Sequence, residues 1–246
     1  NIGGVIEIES WKNLPDAILL AWQPGQEGGN SVVDILKGQV NPSGKLTMTF
    51  PKQYADIPSS TNFPGIPAED PKYVDYKEGV YVGYRYFTSF NVIPAYEFGY
   101  GLSYTEFDIN NIKISSAEFT GNKIIVDVDV KNNGKIAGKE VVQLYLSAPK
   151  GKVDKPVREL KAFAKTKLLQ PGEIQTVTLS LTDKDLASFL QERSAWIADA
   201  GQYKIEIGNS SLDIKQRINF NLKSELIVEK VHNVLNNTAT FSDMKR

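Results

Sequence analysis

A short α/β unit followed by an all-β sandwich is the architecture that this 246-residue chain predicts, and three features of the sequence predict it. Residues 1–50 alternate buried-strand runs with one amphipathic helix. Residues 107–222 repeat an apolar/polar alternation of period two, the pattern of strands with one face in a core. Residues 51–106 lie between them, crowded with proline and tyrosine and following neither period.

The elements follow in order. Asn1-Ile-Gly-Gly-Val-Ile-Glu-Ile8 reads as a strand entered in mid-fold. It has neither an initiator methionine nor the basic and apolar regions of a signal peptide, which suggests a fragment. Ala17-Ile-Leu-Leu-Ala-Trp22 is a continuous apolar run, as in a strand buried on both faces of a parallel sheet. The glycine-rich turn from Gln23 to Ser31 breaks it. A helix then fits Ser31 to Leu36, with Val32, Val33, Ile35 and Leu36 apolar and Gly38 as its C-terminal cap. Asn41-Pro-Ser-Gly44 makes a turn, and Lys45-Leu-Thr-Met-Thr-Phe50 is the next strand. Strand, helix and strand make an α/β unit.

In residues 51–106, Pro51, Pro58, Pro64, Pro67, Pro71 and Pro94 exclude long regular elements. The accompanying aromatics, among them Tyr81, Tyr84, Phe87, Phe90, Phe98 and Tyr104, exclude simple disorder. Such a segment is expected to be a packed connection between domains.

Beyond Phe107, Val126, Val128 and Val130 alternate with Asp127 and Asp129. Val142, Leu144 and Leu146 do so around Gln143 and Tyr145, then Val177, Leu179 and Leu181, then Tyr203, Ile205 and Ile207. The apolar members are expected inside. Asp127 and Asp129, at i and i+2, are most simply solvated. Turns at Asn132-Asn-Gly134, Gln170-Pro-Gly172 and Ala200-Gly201 separate the strands, giving an immunoglobulin-like, fibronectin type III-like sandwich. A helical turn at Asp183–Phe189 is expected within it, capped by Thr182 or Asp183. Residues 223–246 are read as a C-terminal helix and tail, the helix resting on the stripe Ile227, Val231, Val234 and Leu235.

Composition removes several function classes. Lys plus Arg number 28 against 29 Asp plus Glu, with no long basic run, which argues against nucleic acid and against a polybasic membrane surface. Cysteine is absent and His232 is the only histidine, which removes disulfides, thiolate metal sites and a Ser-His-Asp triad. No metal and no cofactor is expected. The compartment stays open, with a periplasmic or secreted location favoured over a cytoplasmic one.

Candidate site residues have bland readings beside the sharp ones. Gln26 and Glu27 could line a sugar site at the edge of the α/β unit, but Glu27 and Asn30 more simply cap the following helix. The turn lacks both phosphate-loop patterns. Glu78 and Arg85 could form a buried ion pair or a substrate clamp. The tyrosines around them could stack on sugar rings, although packing at a domain seam is the simpler role. Trp196 reads as sandwich core, and His232 as a surface residue.

The motifs, taken together, resemble a known family. Ala21-Trp-Gln-Pro-Gly-Gln-Glu-Gly-Gly-Asn30, Asp34-Ile-Leu-Lys-Gly38, Asn41-Pro-Ser-Gly-Lys-Leu46 and Thr49-Phe-Pro51 are similar to the end of the α/β sandwich domain of family 3 glycoside hydrolases. Glu78-Gly-Val-Tyr-Val-Gly-Tyr-Arg-Tyr-Phe87 and Phe98-Gly-Tyr-Gly-Leu-Ser-Tyr-Thr105 resemble signatures of its β-glucosidases. Lys131–Tyr145, Arg158–Phe163 and Leu169–Glu173 look like its fibronectin type III-like domain.

The resemblance implies retaining hydrolysis of β-glycosidic bonds by two carboxylates. In that family the nucleophilic aspartate belongs to a barrel domain, and the acid/base glutamate lies upstream of the strand that Gly3-Gly-Val-Ile6 resembles. No catalytic residue is therefore expected within this chain, and its substrate-binding residues are unknown. The expected partners are the barrel domain of the parent protein and, through the complete enzyme, an oligo- or aryl β-glycoside. A carbohydrate-binding or adhesion module without hydrolytic activity is the alternative, and a structural spacer the third reading.

Overall fold

The valine alternation of the sequence becomes the centre of the molecule. In the computed structural model, which describes residues 1–121, 123–232, 234 and 243–246, ten strands follow one another. They are β1 (Phe107–Ile114), β2 (Ile124–Asn132), β3 (Val141–Ser147), β4 (Glu159–Lys165), β5 (Ile174–Leu181), β6 (Ser188–Leu190), β7 (Ala195–Ala198), β8 (Gly201–Gly208), β9 (Ile214–Leu222) and β10 (Leu226–Lys230). Helices α1 (Gly28–Leu36) and α2 (Tyr84–Ser89) precede them, and α3 (Asp183–Leu186) falls between β5 and β6.

Two antiparallel sheets, β1-β2-β5 and β4-β3-β8-β9, face each other. Between them Val126, Val128, Val130, Val142, Leu144, Leu146, Val177, Leu179, Leu181, Tyr203, Ile205 and Ile207 are buried in one cluster, as the alternation predicts. Removing this much apolar surface from water, at about 25 cal/mol per Å², is the dominant favourable contribution to folding.

Asp127 and Asp129 point outward, as expected, and are held across the ladder. Thr178 Oγ1 donates to Asp127 at 2.6 Å, and Thr176 Oγ1 to Asp129 at 2.7 Å, each threonine being the ladder partner of its aspartate. Asn111 Nδ2 adds a second donor to Asp129 at 3.1 Å.

The Thr176 hydroxyl, then Asn111, hold Asp129 below the usual carboxylate range. Lys167 does the same for Glu173, and Lys152 with Arg193 for Glu225. A lowered native pKa stabilises the fold above the unfolded-state value and ceases to as pH falls through the lowered one. The denaturant midpoint should therefore be flat between about pH 8 and 5 and fall below about pH 4. Asp129→Asn should shrink that fall, and a midpoint rising on acidification would contradict it.

The sheet β4-β3-β8-β9 has no wet face along β3. Gln143 and Tyr145, expected on the exposed side, are as buried as the core residues they alternate with. The aromatic segment covers them. Tyr84 at the start of α2 stacks on Phe98 with centroids 4.9 Å apart and meets Tyr145 edge-on at 5.8 Å. Its hydroxyl accepts the Leu160 N–H at 2.7 Å. Packing at the seam is thus what these rings do, as the simpler reading held.

Several expectations are corrected. Asn1–Ile8, Ala17–Trp22 and Lys45–Phe50 form no strands. They are unladdered, apart from one antiparallel bridge between Phe50 and Tyr96, with bends at residues 3–4 and 47–48 and Trp22 at φ +53°. A strand buried on both faces needs neighbours on its edges, and none lies among the described residues, so Ile18 and Leu19 stay exposed. The helix after them starts at Gly28, earlier than expected. Gly38, at φ +71°, follows it in the left-handed conformation that a C-terminal cap requires.

Glu225–Leu235 is not a helix where described. Leu226–Lys230 pairs antiparallel with β7 as β10, and β7 with β6, in a small third sheet. Ladder partners and the β-branched Ile227 and Val228 outweigh the helical spacing. Leu235 lies outside the described residues. Trp196 is 43% exposed on the outer face of β7, beside Phe189 at 5.5 Å, while Ile197 takes the interior. The helical turn α3 is capped by Thr182, whose N–H donates to Asp185 at 2.7 Å, but it ends at Leu186 and leaves Phe189 in β6.

Candidate functional site

The residues that carried the family resemblance meet at one seam between the N-terminal unit and the sandwich. Asn41 Nδ2 donates to the Ala137 carbonyl at 3.0 Å. Its Oδ1 accepts from Ser103 Oγ at 2.9 Å and from the Tyr104 N–H at 2.8 Å. Lys45 Nζ lies 2.9 Å from Glu140 Oε1 and donates to the Gly101 carbonyl at 2.8 Å. The Asn41–Leu46 turn, the glycine-rich Phe98–Thr105 stretch and the loop before β3 are therefore clamped together. The clamp is close enough to exclude side chains: a Cβ on Gly101 would lie 2.4 Å from the Gly44 carbonyl oxygen.

Asn132, fully buried at the end of β2, anchors the sandwich side. Its Nδ2 donates to the carbonyls of Ile136 at 2.8 Å and Leu169 at 2.9 Å. Its Oδ1 accepts from Thr105 Oγ1 at 2.7 Å and from the Gly134 N–H at 3.1 Å. All four hydrogen-bonding positions of the amide are filled.

A buried charge cluster lies on the covered face of β3 and β8. Glu206 is fully buried, with its Oε1 3.1 Å from Arg217 Nε and 3.5 Å from Lys204 Nζ. Ser147 Oγ donates to its Oε2 at 2.9 Å. Arg158 Nε sits 3.1 Å from Oε2 but outside hydrogen-bonding direction, so that contact is an ion pair; its Nη2 donates to Oε1 at 3.4 Å. A second buried pair joins Lys155 to Asp199. Sequence reasoning missed both clusters because their members come from separate strands and loops. The one available signal was Glu206 standing between Ile205 and Ile207.

The sequence-predicted residues do not converge on a cleft. Gln26 and Glu27 are exposed at the start of α1, where Glu27 accepts from Asn30 Nδ2 at 2.7 Å and caps no backbone N–H. Glu78 is buried but is not paired with Arg85, which lies 3.3 Å from Glu159 at the start of β4. His232 is exposed. Among the described residues no three acidic, histidine or cysteine side chains are grouped to hold a metal, and no helix is long and apolar enough to cross a membrane.

The remaining feature is the number of exposed apolar residues in the N-terminal part of the chain. Of the thirty large hydrophobic residues exposed among those described, twenty fall within residues 1–104, less than half of the chain. Leu14, Leu36 and Leu102 are among the most exposed of them. Exposed apolar residues are thus denser along this part of the sequence than along the sandwich.

Comparison with known proteins places these features. The glycosyl hydrolase family 3 C-terminal domain matches residues 1–104, and a fibronectin type III-like domain matches residues 140–211. The structure of β-glucosidase 3B from Thermotoga neapolitana in complex with α-D-glucose is 51% identical, with a TM-score of 0.87 over 92% of this chain and 31% of that one. β-Glucosidase A of Butyrivibrio fibrisolvens is 43% identical over 96% of this chain and 30% of its own length. An exo-α-(1→6)-L-arabinopyranosidase of Bifidobacterium breve is 38% identical over 91% of this chain and 28% of its own. The chain spans less than a third of the length of these relatives.

Proposed function

Because the chain belongs to glycosyl hydrolase family 3, whose C-terminal region it matches, we propose that it is the non-catalytic C-terminal portion of a retaining β-glycosidase. The observation that carries this reading is coverage: nearly the whole chain aligns to less than a third of each relative. The density of exposed apolar residues within residues 1–104 supports it, since the remainder of such an enzyme would cover them.

In this reading the seam has a mechanical role. Retaining hydrolysis needs two carboxyl groups about 5 Å apart across the glycosidic bond. Small displacements of such groups are costly, so a rigid buttress behind them matters. Asn41, Lys45, Glu140 and Asn132 fix the N-terminal unit to the sandwich, so that whatever packs against residues 1–104 meets the two held together. The nucleophile and the acid/base are supplied from outside the chain. The substrate of the complete enzyme is a β-glucoside or β-xyloside; a β-glucosidase and an exo-α-(1→6)-L-arabinopyranosidase are both similar to the chain in this region.

The purified chain should hydrolyse nitrophenyl β-glucoside and β-xyloside no faster than buffer does. Adding the barrel-bearing remainder of the parent enzyme should restore turnover. Turnover by the chain alone, abolished by replacing one of its own carboxylates, would overturn the reading. Retention of the chain alone on a glycan matrix, with no gain of activity on adding the barrel, would favour the binding-module alternative.

A further inference from the structure

Away from the seam, a cavity of about 440 Å³ opens where the β3–β4 loop meets β8 and residues 245–246. Pro149, Gly151, Val153 and Pro156 shape its walls. Its charged side-chain lining is five cations, Lys150, Lys155, Lys204, Lys245 and Arg246, against the single side-chain carboxylate of Asp154.

The pairing of those charges decides what the cavity can take. Lys155 is buried and neutralised by Asp199, and Gly151 lies so close above the pair that a Cβ there would come 2.0 Å from the Asp199 carboxylate. Lys204 faces Glu206, which Arg158 and Arg217 already share. Asp154 Oδ2 is taken by the Tyr81 hydroxyl at 2.7 Å and the Arg246 main-chain N–H at 2.8 Å. Lys150, Lys245 and the Arg246 guanidinium have no carboxylate within 4.0 Å among the described residues. An excess of positive charge therefore lines a concave site, in a chain whose net charge is only −1. Such geometry focuses an attractive potential on anions.

We propose that this cavity binds a phosphoryl oxyanion, from free phosphate or from a phosphorylated sugar. Lysine ammoniums serve phosphate as point charges, and a guanidinium grips two of its oxygens at once. The volume lies within the range of small-molecule sites, about 300–1,000 Å³, which leaves room for a sugar beyond the phosphate. No aromatic side chain lines the cavity, so a neutral glycoside would find no ring to stack on. The inference does not depend on the glycosidase reading.

The test is calorimetric and thermal-shift titration of the whole chain with inorganic phosphate, glucose 6-phosphate and glucose, at ionic strength held constant with potassium chloride. Both phosphates should bind and glucose should not. Equal affinities would make free phosphate the ligand, and a tighter ester would make it the phosphorylated sugar; either supports the site. Lys150 and Lys245 are exposed, so Lys150→Ala with Lys245→Ala should leave the ligand-free melting temperature unchanged while weakening phosphate at least about tenfold. Lys113→Ala, on β1 of the other sheet, should have no effect. Absence of binding up to about 10 mM of either phosphate, or an affinity that the double variant does not change, would overturn the proposal.

Discussion

Replacing Glu206 with alanine should cost the sandwich about 3–5 kcal/mol, as expected when one partner of a buried ion pair is removed. The three cations around the carboxylate do not contribute equally. Arg217 and Lys204 are about half exposed and can turn to water once the carboxylate is gone. Arg158 cannot, since its side chain is only 13% exposed and its Nη1 remains tied to the Ser211 carbonyl at 2.8 Å. The loss is therefore mainly that of one desolvated guanidinium left without a counter-charge. Against a typical domain stability of about 5–15 kcal/mol, this threatens folding itself. A denaturant midpoint within experimental error of the parent would refute it. Removing both charges, with Glu206→Met and Arg158→Met, should recover much of the stability, because the buried pair as a whole is worth little against apolar packing.

Asn132→Leu should cost about 3–4 kcal/mol, with a different signature. The substitution keeps the volume but strands the Ile136 and Leu169 carbonyls, the Thr105 hydroxyl and the Gly134 N–H, each worth about 1–3 kcal/mol when left buried and unpaired. Partial access of water to the loop keeps the sum below the full count. Asn132→Asp should be no milder despite its near-identical shape, since it turns a carboxylate oxygen toward two carbonyls. Urea unfolding gives the total, and amide exchange at Gly134 reports the seam directly. An aspartate variant as stable as the parent would show that shape, not the donor pair, holds this corner.

The sequence made the sandwich legible because its signal is local. The alternation of Val126, Val128 and Val130 with aspartates specifies which face is buried, whatever lies across the sheet. The misread elements are those whose state is set at a distance. Ala17–Trp22 has the composition of a buried strand, but a strand exists only as half of a ladder, and its partners are not among the described residues. Ile227 and Val231 keep helical spacing, yet β7 offers Leu226–Lys230 an edge to pair with. Trp196 looked like core on hydrophobicity alone, while its odd/even relation to Ile197 put it outside.

Charge was the least legible. Glu78 and Arg85 stand near each other in sequence, but Arg85 is met by Glu159 from the start of β4. Glu206 is met by Ser147 of β3, Arg217 of β9 and Arg158 from the loop before β4. No periodicity within β8 records those partners.

The covered outer face of β3 and β8 also bears on how such chains could be recombined. A sandwich cut out at Phe107 would bare Tyr145 and Gln143 to the solvent, so it is not an interchangeable cassette. A chimera between relatives should keep its junction upstream of Tyr81, so that the aromatic cover travels with the strands it shelters. A junction at Phe107 joins one parent's lid to the other parent's sheet, where every mismatch at Tyr84, Phe98 or Tyr145 falls on the same contact.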